Sequence, residues 1–111
     1  MAESTESHVV VLCTVPTPEV GAEIGRGLVE GKLAACVNIV PGLRSIYVWD
    51  GETKDDSECQ LLIKTRQGRF DALASWIRAH HPYSEPEILA LPILAGSSSY
   101  LAWISAQTQD G

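Results

Sequence analysis

Apolar and polar residues change rhythm several times along this chain, and each change marks an element. Val9-Val10-Val11-Leu12-Cys13-Thr14-Val15 is a β-branched run that predicts a first strand. Thr17-Pro18-Glu19 then opens a helix: Thr17 suits the cap, Pro18 the first turn and Glu19 the positive end. Val20, Ile24 and Leu28 form its apolar stripe, and Gly31 is a stop. Gly21, Gly25 and Gly27 lower helix propensity and leave room for close packing on a sheet. Ala34 to Val40 predicts a second strand, bent at Pro41-Gly42 and continued from Leu43 to Trp49. Asp50-Gly51 is a hairpin signal, and the return strand carries Cys59 to Lys64. Phe70, Leu73, Ala74 and Ile77 recur at helical spacing and predict a second helix that ends before Pro82. Ile88 to Leu94 reads as a fourth strand. Gly96 and three serines lead into a short last helix bearing Tyr100, Trp103 and Ile104.

The order β-α-β-β-α-β-α predicts an α+β, ferredoxin-like β-α-β-β-α-β sandwich with an extra C-terminal helix. Right-handed crossovers put both main helices on one face of an antiparallel sheet of strand order 4-1-3-2. Such a sheet should alternate apolar and polar positions. Val9 to Leu12, Leu61 to Ile63 and Ile88 to Leu91 are instead apolar on both faces. Two helices cover one face, and the last helix is too short to cover the other. A second copy of the chain is the simplest cover, since large apolar patches mark interfaces. The alternative is that the last helix and the long hairpin fold back over it. Tyr47 and Trp49, near the hairpin tip and far from any helix of their own chain, are the expected interface residues.

Length and composition narrow the function. The chain has 111 residues, one ordinary domain, read as a disordered tail over 1–7 and a single folded domain over 8–111. The net charge of −6 argues against nucleic acid, and no basic run seeks an anionic membrane. No stretch of about 20 apolar residues predicts a membrane span, and Met1 to Ser7 does not read as a signal peptide. Cys13, Cys36 and Cys59 are odd in number, each in an apolar run, which fits a reducing compartment and a cytoplasmic location.

Several segments together resemble the CutA family: Val9-Val-Val-Leu-Cys-Thr, Lys32-Leu-Ala-Ala-Cys-Val-Asn-Ile, Pro41-Gly, and Ser45-Ile-Tyr-Val-Trp-Asp-Gly. Leu62-Ile-Lys-Thr, His80-His-Pro-Tyr-Ser-Glu-Pro-Glu-Ile and Tyr100-Leu-Ala-Trp-Ile continue the match in order to about Ser105. The resemblance implies a homotrimer with sheets inward and helices outside, similar in architecture to PII signalling proteins. It also implies a link to divalent-cation tolerance, copper especially, and no established enzymatic role. The copper ligands it implies are Cys13, His80 and Glu87. Topology groups them as well, because strand 4 runs antiparallel to strand 1, so Glu87 should start near where Cys13 ends, with His80 closing the helix between. Thiolate, imidazole and carboxylate suit Cu(II) or another divalent cation. Each residue also has an ordinary structural reading: Cys13 in the core with Val9, Val11 and Val15, His80 at a helix C-terminus, Glu87 on a turn.

Enzyme readings find less support. There is no phosphate loop of the Gly-x-x-x-x-Gly-Lys type, and no organic cofactor is evident. The acids Asp55-Asp56 and Glu85/Glu87 read as solvated turn residues. A Cys13–His80 nucleophile pair lacks an orienting third group. Three functions remain: a trimeric divalent-cation binder, a PII-like trimer with a small ligand between subunits, and a trimeric scaffold without a ligand.

Overall fold

The computed structural model describes residues 7–110. Met1–Glu6, most of the expected tail, lies outside the described residues. Ser7 is tied down, its carbonyl accepting the Gln67 N–H at 2.7 Å. The elements are β1 (His8–Val15), α1 (Pro18–Glu30), β2 (Cys36–Trp49), β3 (Glu52–Arg66), a 3-10 turn (Gln67–Arg69), α2 (Phe70–His80), β4 (Leu89–Pro92) and α3 (Ser98–Gln107). The sheet order is β2-β3-β1-β4 with every pairing antiparallel, which is the expected topology.

Local chemistry places the ends. Thr17 Oγ1 accepts the Val20 N–H at 3.1 Å and caps α1, with Pro18 in its first turn. Gly31 is the C-cap, and the left-handed position falls on the next residue, Lys32, at φ 61°. A Cβ at Gly25 would lie 3.2 Å from Val37, so the missing side chain lets α1 approach β2. Asp50 and Gly51 have φ of 54° and 80°, the two left-handed positions of a tight hairpin turn. β4 is shorter than the expected Ile88 to Leu94. Pro92 has no N–H to extend a ladder, although the Ile93 N–H still reaches the His8 carbonyl at 2.9 Å.

The core lies between the sheet and helices α1 and α2. Val9, Val11, Cys13 and Val15 of β1 face Leu61 and Ile63 of β3, with Ile24, Leu28, Leu73 and Ile77 packed over them. Alternation sends Val10, Leu12, Thr14, Gln60 and Leu62 to the opposite, open face, together with Leu89 and Leu91 of β4. α3 covers one end of that face: Ile104 is fully buried, His8 Nε2 meets Ser105 Oγ at 2.8 Å, and Arg66 Nε donates to Thr108 Oγ1 at 2.9 Å. Among the described residues, no element lies over the rest of the open face.

Past the register break between Val40 and Leu43, β2 and β3 continue without a third strand. The resulting two-stranded ribbon, from Leu43 to Glu58, stretches the molecule to 54 × 26 × 21 Å. Its radius of gyration is 14.9 Å, where a compact chain of this length has about 13 Å. Ile46 and Val48 on one side of the ribbon and Tyr47 and Trp49 on the other are all exposed.

Candidate functional site

An open cleft of about 730 Å³ lies where the ribbon leaves the sheet and the 83–89 segment approaches it. Alternation along three strands builds its floor and one wall. Thr14 of β1 turns to the open face, as do Asp56 and Glu58 of β3; Ser45 of β2 faces Asp56, and Tyr47 and Trp49 lie further along the ribbon, opposite Lys54 and Glu52. Tyr83, Glu85 and Glu87 form the other wall, and Arg78 of α2 is the one cation lining it among the described residues.

Two phenol–carboxylate pairs fix the acids. Tyr83 donates its hydroxyl to Glu58 Oε2 at 2.6 Å, and Tyr47 donates to Asp56 Oδ2 at 2.5 Å. Burial, then the hydrogen bond and charge of Glu58, push the Tyr83 phenol up from its ordinary range. The Tyr47 phenol is raised chiefly by its bond to Asp56. Asp55 and Asp56 lie in β3 rather than in a turn, because the strand begins directly after Gly51. Asp55 pairs with Arg44 at 2.5 Å on the exposed ribbon.

His81 locks the wall to the sheet. Pro82 disfavours further helix, so α2 stops at His80 and His81 turns to an extended conformation. Its buried ring then reaches the end of β1: Nε2 donates to the Thr14 carbonyl at 2.8 Å, and Nδ1 accepts the Tyr83 N–H at 3.1 Å. A carbonyl at one nitrogen and an N–H at the other fix the Nε2–H tautomer.

The three expected metal ligands are placed apart in role. The Cys13 side chain is fully buried among core residues, and burial, then the charges of Glu87 and Glu58, push its thiol from 9.0 to about 12. Its neighbour Thr14 lines the cleft in its stead. His80 is exposed; its ring stacks on Trp76 with centroids 3.8 Å apart, and Nδ1 donates to the Trp76 carbonyl at 2.8 Å. Glu87 does line the cleft, where Gln60 Nε2, bonded to the Cys13 carbonyl at 3.1 Å, approaches it at 3.4 Å. Topology therefore brings Glu87 to the end of β1, but a protonated thiol inside the core is a poor ligand in this conformation. Among the described residues no group of three His, Cys, Asp or Glu is arranged to hold a metal.

Glu58, Tyr83 and His81 were not singled out from the sequence as site residues. The available signal was the two-residue period: Glu58 continues the open-face series of Gln60 and Leu62, a polar position carried into an apolar sheet.

The chain matches the family model described as CutA1 divalent ion tolerance protein over residues 9–107. It is 54% identical over 99 residues to the divalent-cation tolerance protein CutA of Thermus thermophilus, covering 89% of this chain and 96% of that one. It is 46% identical over 112 residues to the chloroplastic protein CutA of Arabidopsis thaliana, covering 99% of this chain but 62% of that one. The chain thus spans less than two thirds of the plant relative. Among solved structures it is similar to the CutA1 of Oryza sativa, with a TM-score of 0.93 at 43% identity over 98% of this chain and 100% of that chain. The Thermus thermophilus divalent cation tolerance protein matches with a TM-score of 0.89 at 52% identity, covering 92% and 99%. By sequence and by fold, this chain belongs to the CutA1 divalent ion tolerance protein family.

Proposed function

We propose that this chain is a non-catalytic, cytoplasmic homotrimer that binds divalent cations, copper foremost, and so supports tolerance to them. The supporting observation is the uncovered apolar surface: Ile46 and Val48 are 69% and 68% exposed, Leu89 54% and Leu91 47%. These side chains lie on a ribbon and an edge strand that the described residues leave without cover, and association removes them from water. Family membership supports the cation role. The proposed copper donors are His80 and Glu87, with Cys13 joining only if its thiol turns out of the core and loses its proton. Copper binding then disturbs the packing at the end of β1.

Sedimentation at micromolar concentration is expected to give a trimer, and a stable monomer there removes the assembly. Calorimetry with Cu(II) tests the donors. Affinity should fall in His80→Ala, which removes a donor nitrogen. Equal affinity in the two proteins would make bound copper adventitious.

A further inference from the structure

The ribbon tip joins a reactive dipeptide to a conformation that restrains it. Asp50 and Gly51 are both exposed, at φ of 54° and 80°, and the Trp49–Glu52 pair closes the turn around them. Gly51 has open space where a Cβ would be, so no side chain shields its amide nitrogen from the Asp50 carboxyl. That nitrogen is the nucleophile and Asp50 Cγ the electrophile. Attack forms an N–Cγ bond and closes a five-membered succinimide, and the carboxyl hydroxyl leaves with the nitrogen's proton as water. Water then adds back at either ring carbonyl. Opening at Cγ restores aspartate. Opening at the main-chain carbonyl leaves isoaspartate, with the backbone running through Cβ and Cγ. No oxidant or reductant takes part, and the net change in mass is zero.

The turn restrains the first step. A planar ring needs the Gly51 nitrogen and the Asp50 Cβ eclipsed about the Cα–C bond. A left-handed residue holds that nitrogen on the far side of the bond from Cβ, so the turn has to open before the ring can close. The product does not fit the same turn, because isoaspartate adds a methylene to the backbone of a loop whose length and twist are matched to the strands. We infer that Asp50 is a site of slow, spontaneous isoaspartate formation, gated by opening of the ribbon tip, and that the modified chain carries a loosened ribbon. The site goes beyond the cation-tolerance reading and depends neither on copper nor on the Cys13 thiol.

Prolonged incubation of the full chain at physiological temperature and pH tests it, followed by trypsin and separation of the Ser45–Lys54 peptide into its aspartate and isoaspartate forms. The chain's other Asp-Gly pair, Asp110-Gly111, falls in a different tryptic peptide. A synthetic Ser45–Lys54 peptide, incubated alongside, gives the rate without the turn. The folded chain is expected to convert about tenfold more slowly than that peptide. Thr53→Gly weakens the strand beside the turn and leaves the dipeptide unaltered; it should speed conversion about threefold in the folded chain and leave the matching peptide's rate unchanged. Thr53 is exposed, so the substitution spares the core. The comparison of wild-type chain with peptide decides the matter even if Thr53→Gly does not fold. Equal rates in chain and peptide, or the same rate in folded Thr53→Gly as in the parent, overturn the gating. No isoaspartate at Asp50 in the chain once the peptide has converted fully overturns the site itself. None of these outcomes alters the sedimentation or copper results expected above, so the two readings fail separately.

Discussion

Cys13 and Thr14 are adjacent on β1, and the strand sends one into the core and the other into the cleft. The company of Val9, Val11 and Val15 was legible in the sequence and pointed to the burial that the structure shows. The His80–His81 pair was not separable that way, since the choice between them depends on where α2 stops and which direction the chain then takes. Burial of Cys13 has a measurable consequence. Its thiol titrates at about 12 in the fold against 9.0 when unfolded, so the unfolded chain gives up this proton first. The contribution to stability is complete below pH 9 and is lost as pH rises toward 12. The shift corresponds to about 4 kcal/mol in all. Cys13→Ala should be less stable at pH 7, because it leaves a small void, yet lose less stability than the parent between pH 9 and 11. Urea unfolding of both proteins across that range measures it. Parallel pH profiles would mean that the thiol does not titrate late.

At the scale of elements, the helices and the first three strands were readable because their signals are local: a cap at Thr17, a stop at Gly31, a turn at Asp50-Gly51. The ends of β3 and β4 were not. β3 runs through Asp55, Asp56 and Glu58, residues of low strand propensity, because ladder pairing with Ile46, Ser45 and Leu43 carries it back from the turn. A long hairpin from Ile46 to Asp56 was expected, but Asp55 and Asp56 were still read as turn residues, so the cleft that Asp56 and Glu58 line went unseen. The turn itself holds the ribbon in register. Gly51 sits at φ 80° with open space where a Cβ would be, so a substitution there acts through the backbone alone. Gly51→Ala should destabilise the ribbon by about 1 kcal/mol, with Gly51→Asn milder. Amides near the tip should then exchange with deuterium about fivefold faster in Gly51→Ala than in the parent. Unchanged exchange there would show that the ribbon is held by something other than its turn.

For the whole molecule, the apolar content of both sheet faces was visible in sequence and now has an address. Among the described residues, one face is covered by α1 and α2, one end of the other by α3, and the remainder lies open beside the exposed ribbon. A two-stranded ribbon is marginal in water, and one of this length with exposed Ile46, Val48 and Trp49 needs a surface to lie on. The proposed trimer supplies it, because each ribbon reaches past its own domain. Trp49, 52% exposed, is the largest side chain available for that contact. Removing it should therefore weaken assembly more than folding. Trp49→Ala should reduce the interface by roughly 2 kcal/mol or more, while Ile77 and its neighbours under the helices keep the monomer fold. Dilution series in the ultracentrifuge, paired with far-ultraviolet circular dichroism, separate the two effects. The variant should dissociate at a concentration where the parent is still trimeric, with its secondary structure intact. If it remains trimeric on the same dilution and melts like the parent, the ribbon tip is not a major contact, and the cover for the open face has to be sought along β4.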